Sequence, residues 1–279
     1  MFEKLRERLK DRFEYWEQEI KDDDVMDFSG YDLREAINNE TEFKLYRYMP
    51  PTYFNIRNIE TQKIHLSTNG VMNDIYEGLP VFDNNNYQVE ELSDLAYMSC
   101  FTESNGNSLM WSHYAEQNTG ICVEYDLKKL INSKADVLKH IFPIIYMEKR
   151  IIERDIDSLI SSNGALTDAI KREYEYDGDE ILDDILPLFL TKGKVWEYER
   201  EWRVIYSKKQ MYDLESPELY SRNIKFECVS GVYLGYRIHP EIKKNIIEIC
   251  ARISTDDYKI KVHQAELDNE GYEIRFREL

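Results

Sequence analysis

Apolar residues change their spacing from one stretch of the chain to the next. At the amino end Phe2, Leu5, Leu9, Phe13, Trp16 and Ile20 recur at three- and four-residue steps, with Lys, Arg and Glu between them. That is the period of one helical face, and it ends near Lys21-Asp22-Asp23-Asp24. A second short helix is expected over 31–38. The spacing then switches to strand-like runs at 43–48, stopped by Pro50-Pro51, and at 63–67, with a helical segment over 54–60 between them. Asn69-Gly70 marks a turn. Residues 71–78 and 83–86 read as polar loops, and 95–101 as a buried strand. A helix follows that starts near Ser108 as its N-cap. Further strands are expected at 120–125 and at 137–147, the latter bent at Pro143.

A helical insertion is expected over about 148–192, and it leads into a stretch at 194–206 that reads as a helix end running into a strand. Strands at 224–229 and 231–236 precede a helix opened by His239-Pro240, with Pro240 suited to the first turn. Ile242, Ile246, Ile249 and Ile253 form its core stripe. Strands at 260–267 and 272–276 are joined by Asp268-Asn269-Glu270-Gly271, a hairpin signal. Strands and helices mix without a regular β-α-β rhythm. The expected fold class is therefore α+β: one mixed-sheet domain over 43–279 with helical insertions, and an amino-terminal helical extension over 1–42. The apolar stripe of that extension is expected to dock on its own domain, on a second copy in a homodimer, or on a protein partner.

Composition narrows the function classes. The chain has 54 acidic and 36 basic residues and a net charge of −18, which argues against an extensive nucleic-acid surface because phosphate contacts need basic patches. No apolar run reaches membrane-spanning length, and no signal peptide is visible, so a cytoplasmic protein is expected. Cys100, Cys122, Cys228 and Cys250 have no C-x-x-C spacing and sit in apolar contexts, as reduced core thiols do. No metal is expected, since no H-E-x-x-H arrangement exists and the acids around Asp177-Gly178-Asp179 do not follow a calcium-loop spacing.

The candidate chemistry centres on Glu199, Glu201 and Arg203. If all three lie on an extended strand they share one face, with Arg200, Trp202 and Val204 on the other. Two carboxylates that close are costly unless a cation or a ligand sits between them, and such a pair can raise a carboxyl pKa for acid–base work. The plainer reading is a solvated face on which Arg203 pairs with one glutamate. The flanking Trp196 and Trp202 argue against a purely solvated face. His113, beside Trp111 and Tyr114, is either an acid–base group near neutral pH or a half-buried structural histidine.

Five segments together resemble the bacterial domain-of-unknown-function family 2971 from about Phe43 to Phe276. They are Leu45-Tyr46-Arg47-Tyr48; Asn73-Asp74-Ile75-Tyr76-Glu77; Ser99-Cys100-Phe101 with Met110-Trp111-Ser112-His113-Tyr114 and Gly120-Ile121-Cys122-Val123-Glu124-Tyr125; Trp196-Glu197-Tyr198-Glu199-Arg200-Glu201-Trp202-Arg203; and Gly231-Val232-Tyr233-Leu234-Gly235. The sequence departs from the family at Ile75, where proline is usual, and the amino-terminal helix lies outside the resemblance. The resemblance implies an accessory protein of the toxin-like or antiphage-defence kind.

The order of features also resembles ADP-ribosyltransferases, which place a basic residue on an early strand, a Ser or Tyr in the middle and an E-x-E pair on a late strand. This resemblance implies roles for Arg47, for Ser67 or Ser99, and for Glu199 and Glu201, with NAD as the cofactor. Glu201 would then stabilise an oxocarbenium-like centre while gripping a ribose hydroxyl, and Glu199 would orient the acceptor. Arg47 would hold a pyrophosphate or ribose, and Tyr46, Trp111 or Trp196 would stack on a ring. Asn73, Asp74, Glu77, Ser99, Tyr114 and Arg203 complete the expected lining for a nucleotide or other small-molecule ligand. Two other readings stay open: a nuclease or phosphotransfer enzyme using Asp74, Glu77, Glu199 and Glu201 around a divalent ion, and a non-enzymatic sensor or protein-binding module.

Overall fold

The computed structural model describes residues 3, 4, 6, 7, 33–38, 40–68, 73, 74, 76, 96–132, 137–149, 186, 189–207, 210, 211, 223–256 and 258–279. The apolar stripe Phe2, Leu5, Leu9, Phe13, Trp16 and Ile20, the Asn69-Gly70 turn, Glu77, the 83–86 loop and most of the 148–192 insertion lie outside these residues. Glu3, Lys4, Arg6 and Glu7 are helical.

A mixed sheet organises the fold, which is α+β. Its central strands are β1 (Lys44–Met49), β4 (Ala96–Thr102), β5 (Ile121–Asp126), β9 (Glu201–Ser207) and β11 (Val229–Leu234). β6 (Ile141–Pro143) closes one side, and β12 (Lys261–Leu267) and β13 (Ile274–Glu278) close the other. The order is β13-β12-β11-β5-β1-β4-β9-β6, with β3 (Ser67–Thr68) joined to β4 off this path. In this sheet only the β11–β12 pair is parallel among the described strands. A parallel pair needs a crossover, and helix α4 (Pro240–Ile253) supplies it. His239 caps α4 by accepting from the Glu241 N–H, Pro240 takes its first position, and Ile246 and Ile249 are buried as the stripe predicts.

Alternation along the strands divides the sheet into two faces. Leu45, Phe101, Val123, Trp202, Val204 and Val232 belong to the main core, which also takes Ile56 and Ile59 from helix α2 (Tyr53–Glu60) and Ile246 and Ile249 from α4. Short helix α1 (Leu33–Ile37) adds Leu33 and Ile37 to it. The opposite face carries a smaller cluster of Tyr48, Cys122 and Tyr233, covered by Met110 and Trp111 of helix α3 (Ser108–His113).

Four expectations need correction. The N-cap of α3 is Asn107, whose side chain accepts from the Leu109 and Met110 N–H groups; Ser108 is the first helical residue. The 63–67 run divides into β2 (Lys63–His65), paired with β10 (Asn223–Lys225), and β3, paired with β4. The 137–147 run is a 3-10 turn (Val137–His140), then β6, then β7 (Ile145–Met147). Lys192 belongs to strand β8 (Thr191–Gly193), parallel to β7, and not to a helical insertion.

Candidate active site

The site grows out of an incomplete pairing. Strand β4 meets β1 at Thr102 opposite Tyr46, and meets β3 at Met98 opposite Ser67 and Tyr97 opposite Thr68. Between these contacts Ser99, Cys100 and Phe101 face a gap between β1 and β3. A cavity of about 370 Å³ occupies it, lined among others by Tyr46, Arg47, Tyr48, Ser67 and Ser99. From the far side α3 adds His113, followed by Tyr114, the turn before β9 adds Glu199, and β9 itself adds Glu201.

Glu199 does not share a strand face with Glu201. A 3-10 turn (Lys194–Glu199) ends at Glu199, Arg200 takes a left-handed conformation at φ 44, and β9 begins only at Glu201. The kink still brings the two carboxylates together, because Lys192 stands between them. Its ammonium donates to Glu199 Oε2 at 2.7 Å and to Glu201 Oε2 at 2.9 Å. Arg203, two residues along β9, donates from Nε to Glu201 Oε1 at 2.7 Å and from Nη1 to the Phe189 carbonyl at 2.6 Å. Glu199 and Glu201 are 2% and 4% exposed, so the solvated-face reading fails and neither stands in open water.

Burial raises the Glu201 carboxyl pKa; Lys192 and a hydrogen bond from the Cys100 thiol oppose it, and Glu199 adds to it. Burial works against the Lys192 ammonium, yet Glu201 and Glu199 outweigh it and leave its pKa raised. Burial lowers the Arg203 guanidinium pKa, with Asp74 opposing; an arginine here stays protonated at neutral pH. Burial also raises the tyrosines at the cavity, Tyr46, Tyr48 and Tyr114. Their hydroxyls are neutral donors at physiological pH, and Tyr114 donates to Glu199 Oε1 at 2.5 Å.

The expected site residues divide into three groups. Tyr46, Arg47, Asn73, Ser99, His113, Tyr114, Glu199 and Glu201 come together at the cavity. Trp111 does not: it is fully buried, its indole N–H donates to the Asn105 carbonyl at 2.7 Å, and its ring packs edgewise on Tyr48. Arg203 supports Glu201 from within the protein and has no exposed surface. Trp196 lies with its ring centroid 5.0 Å from the Lys192 ammonium, outside the cavity lining. Asp74 accepts from the Tyr76 N–H, which is ordinary turn chemistry. Glu77 lies outside the described residues. Among the described residues no group of three or more His, Cys, Asp or Glu could hold a metal ion, and no helix is long and apolar enough to cross a membrane.

Sequence reasoning missed Lys192 and Cys100. A signal for Lys192 existed, since two close carboxylates call for a cation between them. Assigning 148–192 to a helical insertion hid which cation it was.

Residues 110–204 match the model of a family described as a protein of unknown function, DUF2971. That span includes all of α3 but its first two residues, β5 and the Lys192–Glu199–Glu201 cluster, and it excludes β1 with Tyr46 and Arg47. No curated protein and no solved structure matches the chain.

Proposed function

We propose that this cavity takes a nucleotide and acts on the bond between its ribose and its base, with NAD as substrate, as a NAD glycohydrolase or ADP-ribosyltransferase does. The supporting observation is the convergence of Arg47, Ser99, Glu199 and Glu201, separated by up to about 150 residues in sequence, on one cavity. A volume of about 370 Å³ lies at the small end of the ligand-pocket range of roughly 300–1,000 Å³. It has room for one nucleotide half of a dinucleotide, with Arg47 as the anion-binding group and the tyrosine rings as flat apolar walls. Cleavage would release nicotinamide with the electron pair of its bond to the ribose, leaving positive charge on the sugar. Glu201 is the carboxylate placed to stabilise that charge. Water or an acceptor nucleophile would then add to the sugar and lose its proton.

Lys192 already stands between Glu199 and Glu201 as their cation. The pair is thereby better suited to an organic ligand than to the divalent ion of the nuclease reading. Consumption of NAD in the cell would suit a toxin-like or antiphage effector.

The test incubates the protein separately with NAD and with RNA plus magnesium, and measures nicotinamide release and RNA length. The wild type should release nicotinamide. Glu201→Gln should release it about a hundred- to thousandfold more slowly per folded molecule, and Arg47→Ala should raise KM. Intact NAD with the wild type overturns the proposal; cut RNA would then favour the metal-dependent nuclease, and intact RNA the binding module.

A further inference from the structure

Arg6 sends its side chain to the rear of the site. Arg6 Nη1 donates to the Ile144 carbonyl at 2.5 Å and to the Glu201 carbonyl at 3.3 Å. Its Nη2 donates to the same Glu201 carbonyl at 3.2 Å and to Glu103 Oε1 at 2.7 Å. The guanidinium also lies 5.8 Å from the Tyr146 ring centroid and 5.7 Å from that of Trp202. Its side chain is 11% exposed and that of Glu103 3%, so this is an inserted group and not a surface ion pair. Three acceptors in different directions match the rigid fork of arginine and not the single point charge of lysine.

What Arg6 holds is the first residue of β9. Arg200 is left-handed, and Glu201 follows it directly at the end of the β4–β9 ladder, opposite Thr102. Here the Glu201 N–H donates to the Tyr146 hydroxyl at 2.7 Å, while its carbonyl accepts from the Ile144 N–H at 3.0 Å and from Arg6. Glu103, which anchors Arg6, also accepts from the Trp202 indole N–H at 2.8 Å. The Glu201 main chain is thus gripped on both sides, and its carboxylate is aimed forward at Lys192 and the cavity.

We infer that Arg6 is a positioning residue for Glu201. The catalytic consequence rests on the proposed role of Glu201; the clamp itself does not. Both can be read in the full-length chain by comparing wild type, Arg6→Ala and Arg6→Lys. Hydrogen exchange should quicken across 194–207 in Arg6→Ala and stay unchanged across 260–279, at the far side of the sheet. Nicotinamide release should lose about ten- to a hundredfold in kcat at constant KM, as a misplaced catalytic group does. Added methylguanidinium should restore part of it, and Arg6→Lys should fall between the two. Unchanged exchange over 194–207 overturns the clamp. Faster exchange with an unchanged kcat overturns the positioning role. A wild type that releases no nicotinamide removes the proposed function, while the exchange data still decide the clamp. Should Arg6→Ala not fold, Arg6→Lys carries the test, and wild-type exchange and kcat in that variant overturn the inference.

Discussion

Lys192 governs what Glu199 and Glu201 can do. One buried ammonium bridges the two carboxylates, and removing it would leave Glu199 without its cation beside Glu201, which would keep only Arg203. Breaking a buried pair by deleting one partner costs about 3–5 kcal/mol, so Lys192→Met should lower the unfolding free energy by about that much. Lys194 is the control. It reaches Glu148 at 3.5 Å with both side chains mostly in solvent, where such pairs contribute almost nothing. Urea unfolding of the two variants checks the contrast, and equal losses would show that the buried cluster is not a stability element. Glu201→Gln should also lower the melting temperature, since Glu201 holds both Lys192 and Arg203. The plainer reading of the sequence makes it a solvated carboxylate instead, and burial reverses that expectation. The double variant Lys192→Met/Glu201→Gln should cost less than the sum of the single ones, because both act on one cluster.

At the level of elements, the connection from α3 to β5 is the feature that local rules do not anticipate. Glu116, Gln117 and Asn118 have φ values of 46, 54 and 71, three left-handed residues in a row. Each non-glycine residue there costs roughly 1–2 kcal/mol. The Gly120 N–H closes the turn on the Ala115 carbonyl, and tertiary contacts hold it: the Gly235 N–H donates to the Gly120 carbonyl, and the Arg237 N–H to the Asn118 carbonyl. A Cβ on Gly235 would meet Asn118 O at 2.4 Å and Gly120 O at 2.8 Å, both of them backbone. Gly235→Ala should therefore destabilise by about 1–3 kcal/mol, the usual cost of overpacking. Gln117→Gly should be neutral or stabilising by up to about 1 kcal/mol, because relief of the left-handed strain outweighs the added freedom of the unfolded chain. Chemical denaturation measures both, and a strongly destabilising Gln117→Gly would contradict the strain account.

For the whole molecule, the titrating core sets how stability depends on pH. Cys100, Cys122, Cys228 and Cys250 form no disulfide, and burial pushes each thiol above its ordinary 9.0. Burial likewise pushes Tyr48, Tyr125 and Tyr233 above 10.0. Lys192 is also raised above its ordinary 10.5. In every case the folded chain keeps a proton that the unfolded chain gives up. Stability from these groups is thus fully present below their unfolded values and falls as pH rises past about 9. Melting followed from pH 7 upward should show a plateau and then a steady decline beginning near pH 9. A melting temperature held constant to about pH 11 would refute this.

The sequence alone determined the local elements. Alternation and period place β1, β4, β5, α2, α4 and the β12–β13 hairpin close to their observed positions, because neighbouring residues decide those patterns. It also nominated Arg47, Ser99, His113, Glu199 and Glu201, all of which reach the cavity. Tertiary structure decided the rest. The gap beside Ser99–Phe101 exists because β1 and β3 each cover only part of one edge of β4, and pairing between strands distant in sequence leaves no local trace. Trp111 entered the core and not the cavity because the helix that carries it covers the face of Tyr48 and Cys122. Lys192 and Arg6 approach Glu201 from segments that only the folded chain brings beside it. A buried charge is compensated by whatever cation the fold delivers, and which one that is depends on distances in space that residue spacing does not encode.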